Sequence, residues 1–293
     1  MNLTESFIHS QNQLGEGPLW HPDEQALYWV DIHQNRVERY SLANEKRQTI
    51  QFQRMVTALG LRKSGGFIAA TADGVGYWDG QSAQVALFAH PETHFPENRF
   101  NDGKVGPDGR FWAGTMRERV DLDTPPPGSL YRVDADETVQ KMETGLHISN
   151  GLGWSPDRRF FYLTDSPRKT ITRYRFDSNE GEITERKIFL HTPDEPGVPD
   201  GLAVDAEGCI WSARWGGWKV ARYSPKGETL QEIHLPVEYV TSCAFGGADL
   251  KTLFITTAWT PLNADARAAQ PLAGDIFSVE VDVQGQMPWR FAG

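Results

Sequence analysis

An all-β fold, a six-bladed β-propeller, is what the sequence predicts, and three observations carry it. A unit made of a turn, a short apolar-aromatic strand and small or hydroxyl residues recurs along the chain. A second strand-like run follows each copy. Long helical periodicity is nearly absent, and Gly, Pro and Asp crowd the segments between strands.

The unit reads "HPDEQALYWVDI" at 21–32, "RKSGGFIAATADG" at 62–74 and "GPDGRFWAGTM" at 106–116. It returns as "SPDRRFFYLTDS" at 155–166, "DAEGCIWSARW" at 205–215 and "GADLKTLFITTA" at 247–258. The following runs are "NRVERYSL", "GVGYWDG", "GSLYRVD", "TITRYRFD", "WKVARYSP" and "GDIFSVEVD". Copies lie roughly 40 to 50 residues apart, the length of a four-stranded propeller blade. Blades bury their faces only against neighbouring blades, so residues 1–293 read as a single domain. The N-terminal strand near "TESFIH" is expected to close the ring in the last blade beside "PWRFAG". A pair of β-sandwiches is the structural alternative, but it does not predict six similar units.

Composition agrees with a β-rich protein: 293 residues, 39% hydrophobic, with ten Trp and fifteen Phe. The net charge of −10, with no basic block, argues against nucleic acid or an anionic membrane as the main partner. Cys209 and Cys243 form neither a disulfide framework nor a zinc motif, and they read as buried free thiols in a reducing compartment. The N-terminus shows no basic region followed by an apolar stretch, and no run of about 18 apolar residues occurs. A soluble cytoplasmic protein is the expectation.

Aligning the copies on their turn and stepping back seven residues reaches Glu16, Thr57, Asn101, Asn150, Asp200 and Ser242. All six are polar although each adjoins an apolar strand. Polar strand starts are common as turn residues, and the centre of any propeller is wet. The chemistry of this set goes further. Two carboxylates on one axis repel unless a cation or a proton separates them. Hard oxygen donors suit Ca²⁺, Mg²⁺ or Mn²⁺, and Zn²⁺ remains open. Glu16, Asn150 and Asp200 are therefore the expected ligands of one divalent cation at the mouth of the central channel. Asn150-Gly151, which looks like a hairpin turn, reads instead as a neutral oxygen ligand followed by a residue small enough to approach the axis.

The segments "LGEGPLW" (14–20), "RFNDGKVGPDGRFWAGTM" (99–116), "ISNGLGWSPD" (148–157), "PDGLAVDAEG" (199–208) and "AFGGADLKTLFITTA" (244–258) closely resemble the senescence marker protein/gluconolactonase family, also called regucalcin-like. The resemblance runs from about residue 12 to 282. It implies a six-bladed propeller, one catalytic divalent metal held by Glu16, Asn150 and Asp200, and hydrolysis of sugar lactones. It also implies that Arg99 and Asn101 stand in the substrate pocket. Members like the animal proteins carry a substrate-contacting Glu shortly after "AGTM". Ungapped counting puts Arg119 there, with Glu118 adjacent. Either Glu118 takes that role through a loop shift, or recognition differs.

The reaction expected is opening of an aldonolactone (glucono-, galactono-, xylono- or arabinono-) to its aldonic acid. The metal polarises the carbonyl and activates water, and Asp200 is the first candidate for base. Arg99 can stabilise an oxyanion or form a structural ion pair. Asp102 can orient a neighbouring group or serve a turn. His147 is a candidate for proton transfer or a solvated loop residue. Trp215 and Trp218 can stack on a sugar or pack between blades. The Pro-rich segment 121–129 can be a lid or an ordinary connection. Two other classes stay open: a non-catalytic calcium-binding propeller, and another hydrolase on the same centre, such as a phosphotriesterase or a paraoxonase-like aryl-lactonase.

Overall fold

The computed structural model describes residues 5–119, 122 and 124–293. Thr4 of the N-terminal stretch, and Asp121 and Asp123 of the Pro-rich 121–129 segment, lie outside the described residues.

The chain is all-β, and the repeat copies become antiparallel meanders. In the first, Gly15–His21 pairs with Ala26–Asp31, which pairs with Arg36–Ser41, which pairs with Lys46–Gln51. The aromatic-rich strand is second in its meander, and the run that follows it is third. The pattern holds at Phe111–Arg117 and Gly128–Val133, and again at Phe160–Asp165 and Thr170–Asp177. The pair Trp215 and Tyr239 joins the last two sets into one eight-stranded sheet.

The two chain ends part company. Ser6–Ile8 is the outer strand beside Ile276–Glu280, so the N-terminus does complete the last set. The "PWRFAG" segment is not its neighbour, contrary to the expectation from sequence. Arg290–Phe291 instead runs parallel to Val56–Arg62 in the second set. Between the two places the chain runs past the ends of the first strands Ser149–Trp154 and Val198–Val204. Gln286 Nε2 donates to the carbonyls of Trp154 and Val204, at 3.0 and 3.1 Å. Pro288 has no N–H to give a sheet ladder, which favours such a passage over a strand. Beside this segment lies a cavity of about 110 Å³ lined by Asp102, Lys104, Ser242 and Cys243.

The core follows from alternation along each strand. Phe111 and Ala113 pack with Ala58, Ile68 and Val75 of the preceding set. Trp112, between them, packs with Leu152, Trp154 and Phe161 of the following set. A period of two thus sends neighbouring side chains to opposite sheet faces, and both faces are dry. That is why "FWAG" and "ALYWVD" read as nearly continuous apolar runs. The set closes on itself: Trp20, Leu27 and Trp29 of the first meander pack with Ile8, Phe254 and Ile276 of the last.

The first strands contact one another in sequence: Gly15–His21 with Val56–Arg62, then Asn98–Val105, Ser149–Trp154, Val198–Val204 and Tyr239–Gly246, which returns to Gly15–His21. Each carries an extra residue near its start. Pairing steps from Glu16↔Val30 to Leu19↔Tyr28, from Asn150↔Thr164 to Leu152↔Leu163, and from Pro199↔Arg214 to Leu202↔Ser212. The same one-residue gain occurs after Val56, Phe100 and Val240. These are β-bulges, which re-aim a side chain out of the pleat. Thr57, Asn101 and Asp200 fall within the step; Glu16, Asn150 and Ser242 bound it.

Candidate metal and substrate site

The six aligned polar residues are all buried, none more than 8% exposed. An ordinary strand-start turn residue would be solvated, so burial selects against that reading. Close packing of the first strands explains the small residues that follow. A Cβ on Gly151 would lie 2.5 Å from the Asp200 carbonyl oxygen, and one on Gly201 would lie 2.8 Å from Ser242 Cα. Gly151→Ala is therefore expected to destabilise the protein by about 1–3 kcal/mol and to lower activity, because backbone must give way beside Asp200. Urea denaturation measures the first effect, and wild-type stability in the variant would contradict this packing argument.

Two second-strand aspartates hold the approach to the ring. Asp31 accepts from the backbone N–H groups of Gln13 and Leu14, at 2.9 and 3.1 Å. Asp165 accepts from those of His147 and Ile148, both at 3.3 Å. Asp31 stands as far along the chain from Glu16 as Asp165 does from Asn150. The two aspartates thus fix equivalent backbone two and three residues before these ring positions. His147 is tied here through its backbone.

A hydrogen-bonded chain joins the expected substrate and metal residues. Arg99 donates through Nε to Glu118, and through Nη1 to Phe100 O at 2.9 Å and Asn101 Oδ1 at 2.8 Å. Asn101 Nδ2 donates to Asn150 Oδ1 at 2.7 Å, and Asn150 Nδ2 to Ser166 Oγ at 2.9 Å. A guanidinium only donates, so the Asn101 atom facing it is the oxygen. The amide nitrogen of Asn101 must then face Asn150, and Asn150 turns its own oxygen inward. Glu118, half-exposed, is thus paired with Arg99, while Arg119 is exposed. Trp215 packs at a tilt against Tyr239 with ring centres 4.6 Å apart, and Trp218 is solvent-facing.

The carboxylates are crowded. Burial pushes Glu16 up to about 8, and the charge of Asp102 adds to the rise; the Gly17 N–H and Arg99 oppose it. Asp200 is pushed well above the carboxylate range by burial first, then by the charges of Glu16 and Asp102. Asp102 is raised by burial, and nearby Lys104 partly offsets this. Asp200 Oδ1 is buried with no hydrogen-bond partner among the described residues. An unpaired buried carboxylate oxygen is costly. A cation held by Glu16, Asn150 and Asp200 would remove that cost and supply the missing charge. The donor set therefore fits a hard divalent cation.

Asp205, Glu207 and Cys209 also lie close enough to share an ion. Their hydrogen bonds argue otherwise. Asp205 Oδ1 accepts from the N–H groups of Glu207 and Cys209, and Oδ2 from Trp211 Nε1 and Arg222. Arg222 already neutralises the group, and burial pushes the Cys209 thiol up, away from the thiolate a metal needs.

Sequence reasoning gave Asp102 an orienting or turn role and did not single out Lys104, Ser166 or the two approach-holding aspartates. The aspartates had a signal: "VDI" and "TDS" end the second strand in corresponding units.

A family described as "SMP-30/Gluconolactonase/LRE-like region" matches residues 14–259. A Pseudomonas putida protein named 6-deoxy-6-sulfogluconolactonase is 39% identical over 294 residues, spanning 100% of both chains. A pentonolactonase of Haloferax volcanii is 38% identical over 97% of this chain and 96% of its own. The crystal structure of a calcium-binding protein, regucalcin, from Agrobacterium tumefaciens superposes with a TM-score of 0.93 at 29% identity, covering 99% of this chain and 98% of that one. Its fold, its repeat motifs and the extent of these matches agree, and the chain belongs to the SMP-30/gluconolactonase/LRE-like family.

Proposed function

We propose that this chain is a single-domain, six-bladed propeller that hydrolyses sugar lactones with one divalent cation held by Glu16, Asn150 and Asp200. The observation that carries the reading is Asp200 Oδ1, buried without a partner among the described residues and close enough to Glu16 for the two charges to repel. The cyclic contacts of the first strands support the propeller. The names of the lactonases at 38–39% identity support the substrate class.

Hydrolysis adds water to the lactone carbonyl, breaks the ring C–O bond and returns a proton to the ring oxygen. The cation, when bound, supplies Lewis-acid polarisation and lowers the pKa of water at the site. Asp200 takes the proton from the attacking water through the carboxylate oxygen not turned to the cation and returns it to the leaving ring oxygen. Arg99 faces the developing oxyanion or a substrate hydroxyl, and its two bonds to Phe100 O and Asn101 keep the guanidinium from reorienting. Glu118 accepts from a sugar hydroxyl while Arg99 holds it in place. Asn101 keeps Asn150 oxygen-inward. Among the described residues no helix is long and apolar enough to cross a membrane.

A panel of glucono-, galactono-, xylono- and arabinonolactone, assayed by proton release with and without chelator, tests the proposal. Hydrolysis above the spontaneous rate on at least one, abolished by chelator and restored by calcium, manganese or zinc, is the expected result. Equal rates with and without enzyme on all four would remove the lactonase reading.

A further inference from the structure

His33 stands in the turn between Ala26–Asp31 and Arg36–Ser41, at the end of the first set where Glu16 lies. It is half-buried, and its Nδ1 lies 3.3 Å from Thr260 Oγ1. Thr260 Oγ1 lies 2.6 Å from the carbonyl oxygen of Gln13. Two oxygens that close need a proton between them, and a carbonyl has none to give. The Thr260 hydroxyl therefore donates to Gln13 and can only accept from His33. This places the imidazole proton on Nδ1 and leaves Nε2 with a bare lone pair. No partner for Nε2 occurs among the described residues.

The groups near His33 keep that lone pair available. Burial lowers its pKa, and the Arg99 guanidinium lowers it further, against smaller opposing effects of Glu118 and Asp31. Arg99 and Glu118 are thus close enough to act on the ring. Together the cluster offers a donor-only group, an acceptor-only carboxylate and a neutral ring acceptor. Such a set matches a molecule with several hydroxyls, each able to donate and accept.

We propose that His33 is a substrate-recognition residue, whose Nε2 accepts a hydrogen bond from a hydroxyl of a polyhydroxy lactone held beside Arg99 and Glu118. Gln13 and Thr260 are its positioning residues, since they set the tautomer. The inference rests on the lactonase reading for the reaction, but not for the binding of hydroxyls.

The test compares wild type with His33→Ala and His33→Gln, because the glutamine carries an acceptor near the position of Nε2. His33→Ala is expected to raise KM about 3- to 10-fold with kcat nearly unchanged, the loss of one neutral hydrogen bond. His33→Gln is expected to recover most of the loss, which separates a lost acceptor from lost packing. An unchanged KM in His33→Ala on every lactone that the wild type hydrolyses overturns the proposal. If the wild type hydrolyses none, the lactonase reading falls and calorimetry with the polyol glucitol decides this one. Weaker glucitol binding by His33→Ala, recovered in His33→Gln, supports it. Equal binding by wild type and His33→Ala, or none by the wild type, overturns it.

Discussion

Asp200→Asn is expected to cut lactone hydrolysis by about 10²–10⁴-fold, the range for loss of a positioned proton-transfer group, while making the cation-free protein more stable. The two effects have one cause. Asp200 is buried beside Glu16 and Asp102, and its Oδ1 has no partner among the described residues. The amide keeps the shape and removes the charge. Glu16 then loses a repelling neighbour and Asn101–Asn150 is untouched. In chelator at about pH 8 the variant should unfold about 1–3 kcal/mol later than wild type, the scale of an uncompensated buried polar group. With saturating calcium the order should reverse, since a ligand that binds only the folded state adds stability in proportion to the logarithm of its excess over Kd. Stability taken up by a functional site in this way is an ordinary trade-off. Thermal melts with chelator and with calcium, beside lactone assays, measure all three. A variant that keeps wild-type kcat/KM, or that melts earlier in chelator, would remove Asp200 from the role assigned to it.

Cation-free protein is expected to lose stability as pH rises from about 5 to about 8, and calcium is expected to abolish that slope. Glu16 rises from 4.5 to about 8 on folding, and Asp200 moves in the same direction. The folded state thus binds these protons more tightly than the unfolded state. Well below about pH 4.5 both states hold the Glu16 proton, and it makes no difference. Between about 4.5 and 8 only the unfolded state gives it up freely, so the folded state loses ground by a few kcal/mol, and Asp200 adds to the loss in the same direction. A cation takes the place of the protons. Adding calcium near pH 6 should therefore release protons into a weakly buffered solution, and the release should vanish well above pH 8. Melting temperatures of chelated protein that stay level or climb across this window would show that the two carboxylates are not crowded as described.

Much of the molecule was legible beforehand because its repeat is a physical one. Each meander buries its aromatic-rich second strand on both faces, so "FWAG", "LYWV" and "CIWSA" recur as the second strands of separate meanders. Glu16, Asn101, Asn150 and Asp200 stood out because polar residues at matching offsets beside apolar strands need a common reason. The bulges did not stand out. An extra residue in one strand is a property of a pair of strands, and a single segment such as "SNGLGW" carries the same letters with or without it. Likewise, "PWRFAG" has the aromatic pattern of a strand, but nothing local says that its partner is Val56–Arg62 rather than Ser6–Ile8.

By itself the sequence determined the β class, the repeat, and which polar side chains stand at matching offsets in the copies, because periodicity, turn residues and side-chain type are local properties. The tertiary structure alone decided how those side chains meet. It paired Glu118 with Arg99, turned Asn101 so that Asn150 faces it by its oxygen, left Asp200 Oδ1 without a partner among the described residues, and brought His33 Nδ1 against the Thr260 hydroxyl. These are relations between residues far apart in the chain, fixed by which donor reaches which acceptor once the strands are packed. No pattern read along a single strand contains that information.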